Sequence, residues 1–343
     1  MSSIVNFMKS LAKRLPPLKR LVEQRDSLLR KVDYLDRELA VRHEEVADLH
    51  QQIADLRHDL KQLRMQSGFP PGHFYSPIPA FAELAGHQDR IFSREIKPLP
   101  AIDLRPDAQL ALLRTLAGYY TEMPFSAGPA PGLRYYFEND FYSYGDAIYL
   151  YSMIRHFRPD RIVEIGSGFS SAVILDTNEL FCDGAIECTF IDPYPERLQT
   201  LLSDADRARA TIIDKRLQDI DYGRICRLER NDILVIDSSH VSKIDSDVNH
   251  IIFQILPALN DGVLVHVHDI FFPFEYPEAW VNEGRFWNEN YMLRAFLEFN
   301  SAFEIVFFAD YLARAYRSEL GNCLPLSLKN SGASLWLRRT GTG

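Results

Sequence analysis

The stretch VHVHDIFFPFEYPEAW, residues 265–280, ends an apolar run in two histidines and an aspartate, then breaks into proline and aromatic side chains. His266, His268 and Asp269 are residue types that bind a divalent cation or move a proton. Upstream, DILVIDSSH (232–240) ends a second apolar run in Asp237 and His240. Further upstream, EIGSGFSS (164–171) puts Gly166 and Gly168 after a third run, where a backbone without Cβ atoms can turn tightly and approach a ligand. IECTFID (186–192) ends in Asp192, 26 residues beyond Gly166, and an acid there can accept hydrogen bonds from both hydroxyls of a ribose. A nicotinamide fingerprint would want Gly or Ala at position 171, where Ser171 stands.

Most of these residues also have a plain structural reading. His266 lies inside its run on the same face as His268 and is expected to be a buried, hydrogen-bonded core residue. His268 and Asp269 either act or finish a strand; His240 either acts or caps the segment after it. Tyr144 and Asp146 precede a helix, which they either cap or leave to touch a donor molecule. Pro273, Tyr276, Pro277 and Trp280, joined by Trp287, Glu289 and Tyr291, read as a loop wall that packs or stacks on an acceptor.

The elements that must position these groups follow from periodicity. From about residue 147, short β-rich runs at 161–165, 186–192, 210–214, 232–237 and 262–269 are separated by segments of crossover length. Before the last of them, Val248, Ile251, Ile252, Ile255 and Leu259 recur at helical spacing. That alternation predicts an α/β fold with a parallel sheet covered on both faces. Runs at 303–308 and 333–339 add two more strands, seven in all. Ligands of such sheets lie at the carboxyl ends of the strands. Adjacent strands run about 4.8 Å apart, so Asp237, His268 and Asp269 are expected to converge there.

Ahead of the sheet, residues 18–66 read as a parallel two-stranded coiled coil. Leu18, Arg25, Val32, Leu39, Val46, Ile53 and Leu60 form one register of a heptad; Leu21, Leu28, Leu35, Arg42, Leu49, Leu56 and Leu63 form the other. Val and Ile in the first register with Leu in the second favour two parallel strands, hence a homodimer. Residues 1–17 form a basic amphipathic lead-in, with Ile4, Val5, Phe7, Met8 and Leu11 beside Lys9, Lys13 and Arg14. Such a helix either frays or lies peripherally on an anionic membrane. Residues 67–134 read as a Pro-rich arm, with helices near 80–86 and 107–121; ten of the nineteen prolines fall between Pro70 and Pro131.

EIGSGFSS resembles the first motif of the class I S-adenosylmethionine-dependent methyltransferases, E-x-G-x-G-x-G, with Ser170 at the third glycine. The runs FIDPYPER, DILVIDSSHVSKIDSDV, GVLVHVHDIFFPFEYPEAW and RFWNENYMLRAFL resemble a bacterial branch with DSSH and HDI motifs, grouped with the macrocin-type and catechol-type O-methyltransferases. The resemblance covers residues 135–339 well, the arm from 73 loosely, and the coiled coil not at all. It implies a methyltransferase domain over 135–343, with a seven-stranded Rossmann-like sheet whose last strand is antiparallel. It also implies S-adenosyl-L-methionine lying across Glu164, Gly166, Ser167, Gly168, Ser170, Asp192 and Asp237, with Tyr144 and Asp146 near its amino-acid end. In the similar metal-dependent enzymes the carried-over metal positions are Asp237, His268 and Asp269. His268 departs from the oxygen ligands magnesium prefers and shifts preference toward manganese, iron or zinc, or removes the metal. Without a metal, His240 or His268 serves as general base, with Asp269 beside it.

Composition bounds the rest. A formal charge of −9 argues against broad nucleic-acid binding. Cys182, Cys188, Cys226 and Cys323 show no disulfide or CxxC spacing, which suits a cytoplasmic protein, in place at the inner face of the membrane if the lead-in binds lipid. The sequence thus reads as an O-methyltransferase acting on a glycan, glycoconjugate precursor or similar polar small molecule. The competing reading is a non-catalytic coiled-coil scaffold carrying a relic fold.

Overall fold

The computed structural model describes residues 2–12, 16–66, 68–93 and 95–341. Lys13 and Arg14 of the lead-in, and the side chains of Leu11 and Leu63, lie outside the described residues. The chain divides into two units, Met1–Phe81 and Ala82–Gly343.

The first unit is helical. α1 (Ser2–Ala12) exposes Ile4, Val5, Phe7 and Met8. α2 (Pro16–Gln66) opens on two prolines, whose missing N–H groups cost nothing in a first turn, and runs 51 residues. At 1.5 Å per residue it is about 77 Å long. No helix among the described residues is long and apolar enough to cross a membrane.

The second unit is built on one sheet. A short helix at Phe81–Ala85 spans the boundary between the units, and α3 (Pro106–Tyr120) follows in the arm. Gln109 of α3 accepts a 2.7 Å hydrogen bond from the Phe308 backbone, which ties this part of the arm to the sheet. α4 (Tyr144–Phe157) is buried from Tyr144 to Ile154. Then come β1 (Arg161–Ile165), α5 (Phe169–Phe181), β2 (Glu187–Ile191), β3 (Thr211–Ile213), β4 (Ile233–Ile236) and β5 (Leu264–Val267). α6 (Glu289–Leu297), β6 (Phe303–Phe308) and β7 (Leu335–Arg339) complete the unit. The strand order is β3-β2-β1-β4-β5-β7-β6. β1 to β5 pair in parallel, and β7 runs antiparallel to both β5 and β6. This is the seven-stranded sheet with a reversed last strand that the sequence predicts. β1 and β6 coincide with their apolar runs, β2, β3 and β4 are one residue shorter at each end, β5 is two shorter at each end, and β7 starts two residues later. β4 (ILVI) and β5 (LVHV) are buried along their whole length, as a sheet covered on both faces requires.

The expected helix before β5 spans 247–258, with a wider, π-type turn over Ile251–Ile255. Cys188 is buried in the core; Cys182, Cys226 and Cys323 are partly exposed, and all four are free.

Candidate active site

The loop after β1 is fastened from three sides. Gly166 has φ +81°, and a Cβ on it would lie 2.1 Å from the Asp237 carbonyl oxygen, so only glycine lets the ends of β1 and β4 close together. Ser167 donates to Asp192 Oδ2 from its N–H at 2.9 Å and its hydroxyl at 2.7 Å. The Ser171 hydroxyl accepts from the Gly168 N–H at 3.0 Å and donates to the Glu164 carboxyl. Ser171 is therefore a brace that a glycine could not supply. Burial pushes Glu164 up to about 8, against the lowering effect of Ser170 and Ser171. Glu164 is fully buried and positions the loop from beneath.

One cavity opens on this loop and a second adjoins it. The first, about 630 Å³, is lined by Gly166, Ser167, Asp192, Tyr194, Gln218 and Asp237, among others. The second, about 780 Å³, is lined by Asp146, His240, His268, Asp269, Trp280 and Trp287, among others. Both lie within the roughly 300–1,000 Å³ of small-molecule sites. Arg197, Asp237, Ser238 and Ser239 line both, so the cavities meet at the exit of β4. Asp192, expected to face a ribose, lines the first cavity while its other oxygen takes the Tyr194 N–H at 2.8 Å.

His240 lies at the centre of the second cavity's charges. Its Nδ1 is 2.9 Å from Glu289 Oε2; its Nε2 is 3.3 Å from Asp237 and 3.8 Å from Asp269. The ring stacks on Trp287 at 4.3 Å, and Ser238 donates to the other Glu289 oxygen at 2.8 Å. Burial alone would lower His240, but the hydrogen bonds to Asp237 and Glu289 raise it to about 10. Burial alone would raise Asp237, but the bond from His240 and the neighbouring histidine charges hold it down at about 2. His240 and Asp269 both sit in the left-handed region, at φ +59° and +57°, which side-chain-bearing residues adopt at a cost.

The remaining predicted residues divide. His268 is 3.5 Å from Asp269 and 3.9 Å from Asp146; burial works against its charge, and Asp269 and Asp146 nevertheless raise its pKa. Asp146 accepts the Ala333 N–H at 3.0 Å and is pushed up to about 6 by burial. It therefore ties α4 to the approach of β7 rather than capping α4. Tyr144 turns away, bonding Glu138 and Lys329 at 3.0 Å each, and lines neither cavity. Ser170 is buried beneath the loop. His266 is a correction: it is fully buried, as expected, but neither ring nitrogen has a hydrogen-bond partner. Its ring meets Trp336 edge-on at 4.8 Å, and burial lowers it to about 3. Asp237, His268 and Asp269 do converge. Yet among the described residues no three His, Cys, Asp or Glu side chains are set to hold one ion, and His240 rather than His268 faces both carboxylates. No step is therefore derived through a metal.

Two groups were hidden from sequence reasoning. Glu289 reads as part of a loop wall, 49 positions from His240, and only the fold makes it the imidazole's partner. Arg197 lies in a helix after β2 with its guanidinium 3.5 Å from the Phe141 ring centre, and it borders both cavities.

Residues 163–270 match the family described as a methyltransferase domain. An uncharacterized protein of Archaeoglobus fulgidus is 38% identical over 172 residues, 48% of this chain and 75% of that protein. The chain belongs to one family with that archaeal protein, and its core is a methyltransferase domain. Among solved structures, the O-methyltransferase TomG from Streptomyces achromogenes, in complex with SAM, is 15% identical over 68% of this chain and 90% of its own, with a TM-score of 0.36. The SAH-bound Podospora anserina methyltransferase PaMTH1 is 14% identical over 78% and 99%, with a TM-score of 0.37. The methyl donor of such a domain is S-adenosyl-L-methionine. The first cavity suits it: a glycine that no Cβ can replace, a carboxylate at the end of β2, and a second carboxylate, Asp237, at the end of β4.

Proposed function

We propose that the protein is an O-methyltransferase acting on a hydroxyl of a glycan, a glycoconjugate precursor or a similar polar small molecule. The observation that carries this reading is the meeting of the two cavities at Asp237 and Ser238, beside His240 Nε2. S-adenosyl-L-methionine, when bound, supplies a methyl group on a sulfonium that is a good leaving group. The protein's share is alignment and removal of the acceptor's proton. Glu289 holds the Nδ1–H of His240 and so directs Nε2 into the acceptor cavity. Once Nε2 has lost its own proton it can take one from an acceptor hydroxyl. Asp237 stays ionised and keeps negative charge between the cavities. Trp280 and Trp287, edge-to-face at 5.4 Å, offer apolar faces to a sugar ring, and Asp146 and Asp269 offer acceptors to its hydroxyls.

The test is a methyl-transfer assay with isotope-labelled S-adenosylmethionine against a panel of oligosaccharides and nucleotide sugars, read by product mass, with and without chelator. A methyl ether on a sugar hydroxyl, formed equally with chelator, supports the reading; loss with chelator would move the proton step to a metal. Donor binding is checked separately by calorimetry. Asp192→Ala removes a charged acceptor, a change of about 1.5–3 kcal/mol, and affinity should fall roughly tenfold or more. A parent protein that binds no donor would favour the scaffold reading.

A further inference from the structure

α2 carries its heptad seam uncovered. All eleven apolar seam residues between Leu18 and Leu60 are exposed, Leu28 and Leu56 each at 63%. A stripe of this length leaves apolar surface in water that packing against a second helix would bury. We infer that the stripe is covered by α2 of a second copy of this chain, parallel and in register, and the argument for that occupant is charge.

In a parallel, in-register pair each residue flanking the seam on one side meets the residue five positions later on the partner helix. Lys31 then faces Asp36 of the other copy, Glu38 faces His43, Glu45 faces His50, and Gln52 faces Arg57. None of these four is a like-charge pair. An antiparallel pair on the same seam would set Glu38 against Glu45 twice along one flank.

The seam arginines point the same way. Arg25 is paired within its own helix to Asp26 at 2.7 Å, and Arg42 to Glu45 at 2.6 Å. In register, the arginines stack on their own copies and interrupt two layers. In the antiparallel arrangement Arg25 would meet Leu56 and Arg42 would meet Leu39, spoiling four layers. A slip of one heptad would put Arg25 against Val32 and Arg42 against Leu49, again four layers. The parallel, in-register dimer thus keeps the most seam layers wholly apolar, with each buried guanidinium beside an acid of its own chain.

The test uses the full chain with single cysteines on the seam. Leu28→Cys should cross-link to its own copy under mild oxidation, with the disulfide mapped to position 28 by mass spectrometry, and so should Ile53→Cys. Light scattering of the parent should give twice 39.5 kDa. Cross-linking only when Leu28→Cys and Ile53→Cys proteins are mixed would show the antiparallel pair and overturn the inference. A parent of 39.5 kDa with no cross-link in either variant would overturn it as well.

Discussion

His240 and His266 are both buried histidines within a few residues of a strand's carboxyl end, and their surroundings drive them in opposite directions. His266 lies inside β5 with no hydrogen-bond partner, and burial, helped by the charge of His268, takes it down to about 3. His240 lies just past β4 among Glu289, Asp237 and Asp269, and the hydrogen bonds to Asp237 and Glu289 overcome burial and take it up to about 10. The lesson concerns position more than residue type. Inside the strand desolvation dominates, whereas a strand exit gathers charges from several elements.

The sharpest way to break this contrast is to delete each ring. His240→Ala should lower methyl transfer by about 10²–10⁴-fold, the usual contribution of a general base, while calorimetric donor affinity stays near the parent's. His266→Phe should leave transfer unchanged. Equal effects on rate would show that the two rings play one role.

A smaller effect separates them by pH. His266 is neutral in the fold but charges in the unfolded chain below about 6.5, so it takes away stability as pH falls from there toward 3. His266→Phe should therefore flatten the acid limb of a melting-temperature profile. His240 works with the opposite sign: its raised pKa contributes stability that is complete below 6.5 and lost as pH rises through 10. Burial-raised Glu164 adds to the alkaline loss between 4.5 and 8. His240→Gln should flatten the alkaline limb and, by freeing Asp237 from the bond that holds it at about 2, the limb below 3.8 as well; an unchanged alkaline limb would contradict the assignment of charge.

The sheet was legible in the sequence because strand runs buried on both faces are nearly continuous in Val, Ile and Leu, and Gly166 was legible because one backbone conformation excludes every other residue. Asp237, His240, His268 and Asp269 were legible as polar residues ending apolar runs. What stayed hidden depends on side-chain direction. Ser171 looked like a missing glycine and is a brace. Tyr144 reads from sequence as a donor contact or a helix cap, and its hydroxyl meets Glu138 and Lys329. Glu289 could be placed against His240 only after α6 folded back over the exit of β4, since no local spacing encodes that contact.

In the proposed reaction Glu289 tunes the proton affinity of His240, which then removes the acceptor's proton. The most direct measurement is the pH profile of methyl transfer by the parent and by Glu289→Gln. The parent's rate should climb with pH from neutrality, since the active form has lost the proton that Asp237 and Glu289 hold to about 10. With one carboxylate neutralised, the climb should begin and level off at lower pH. Superimposable profiles, with activity otherwise intact, would contradict the claim.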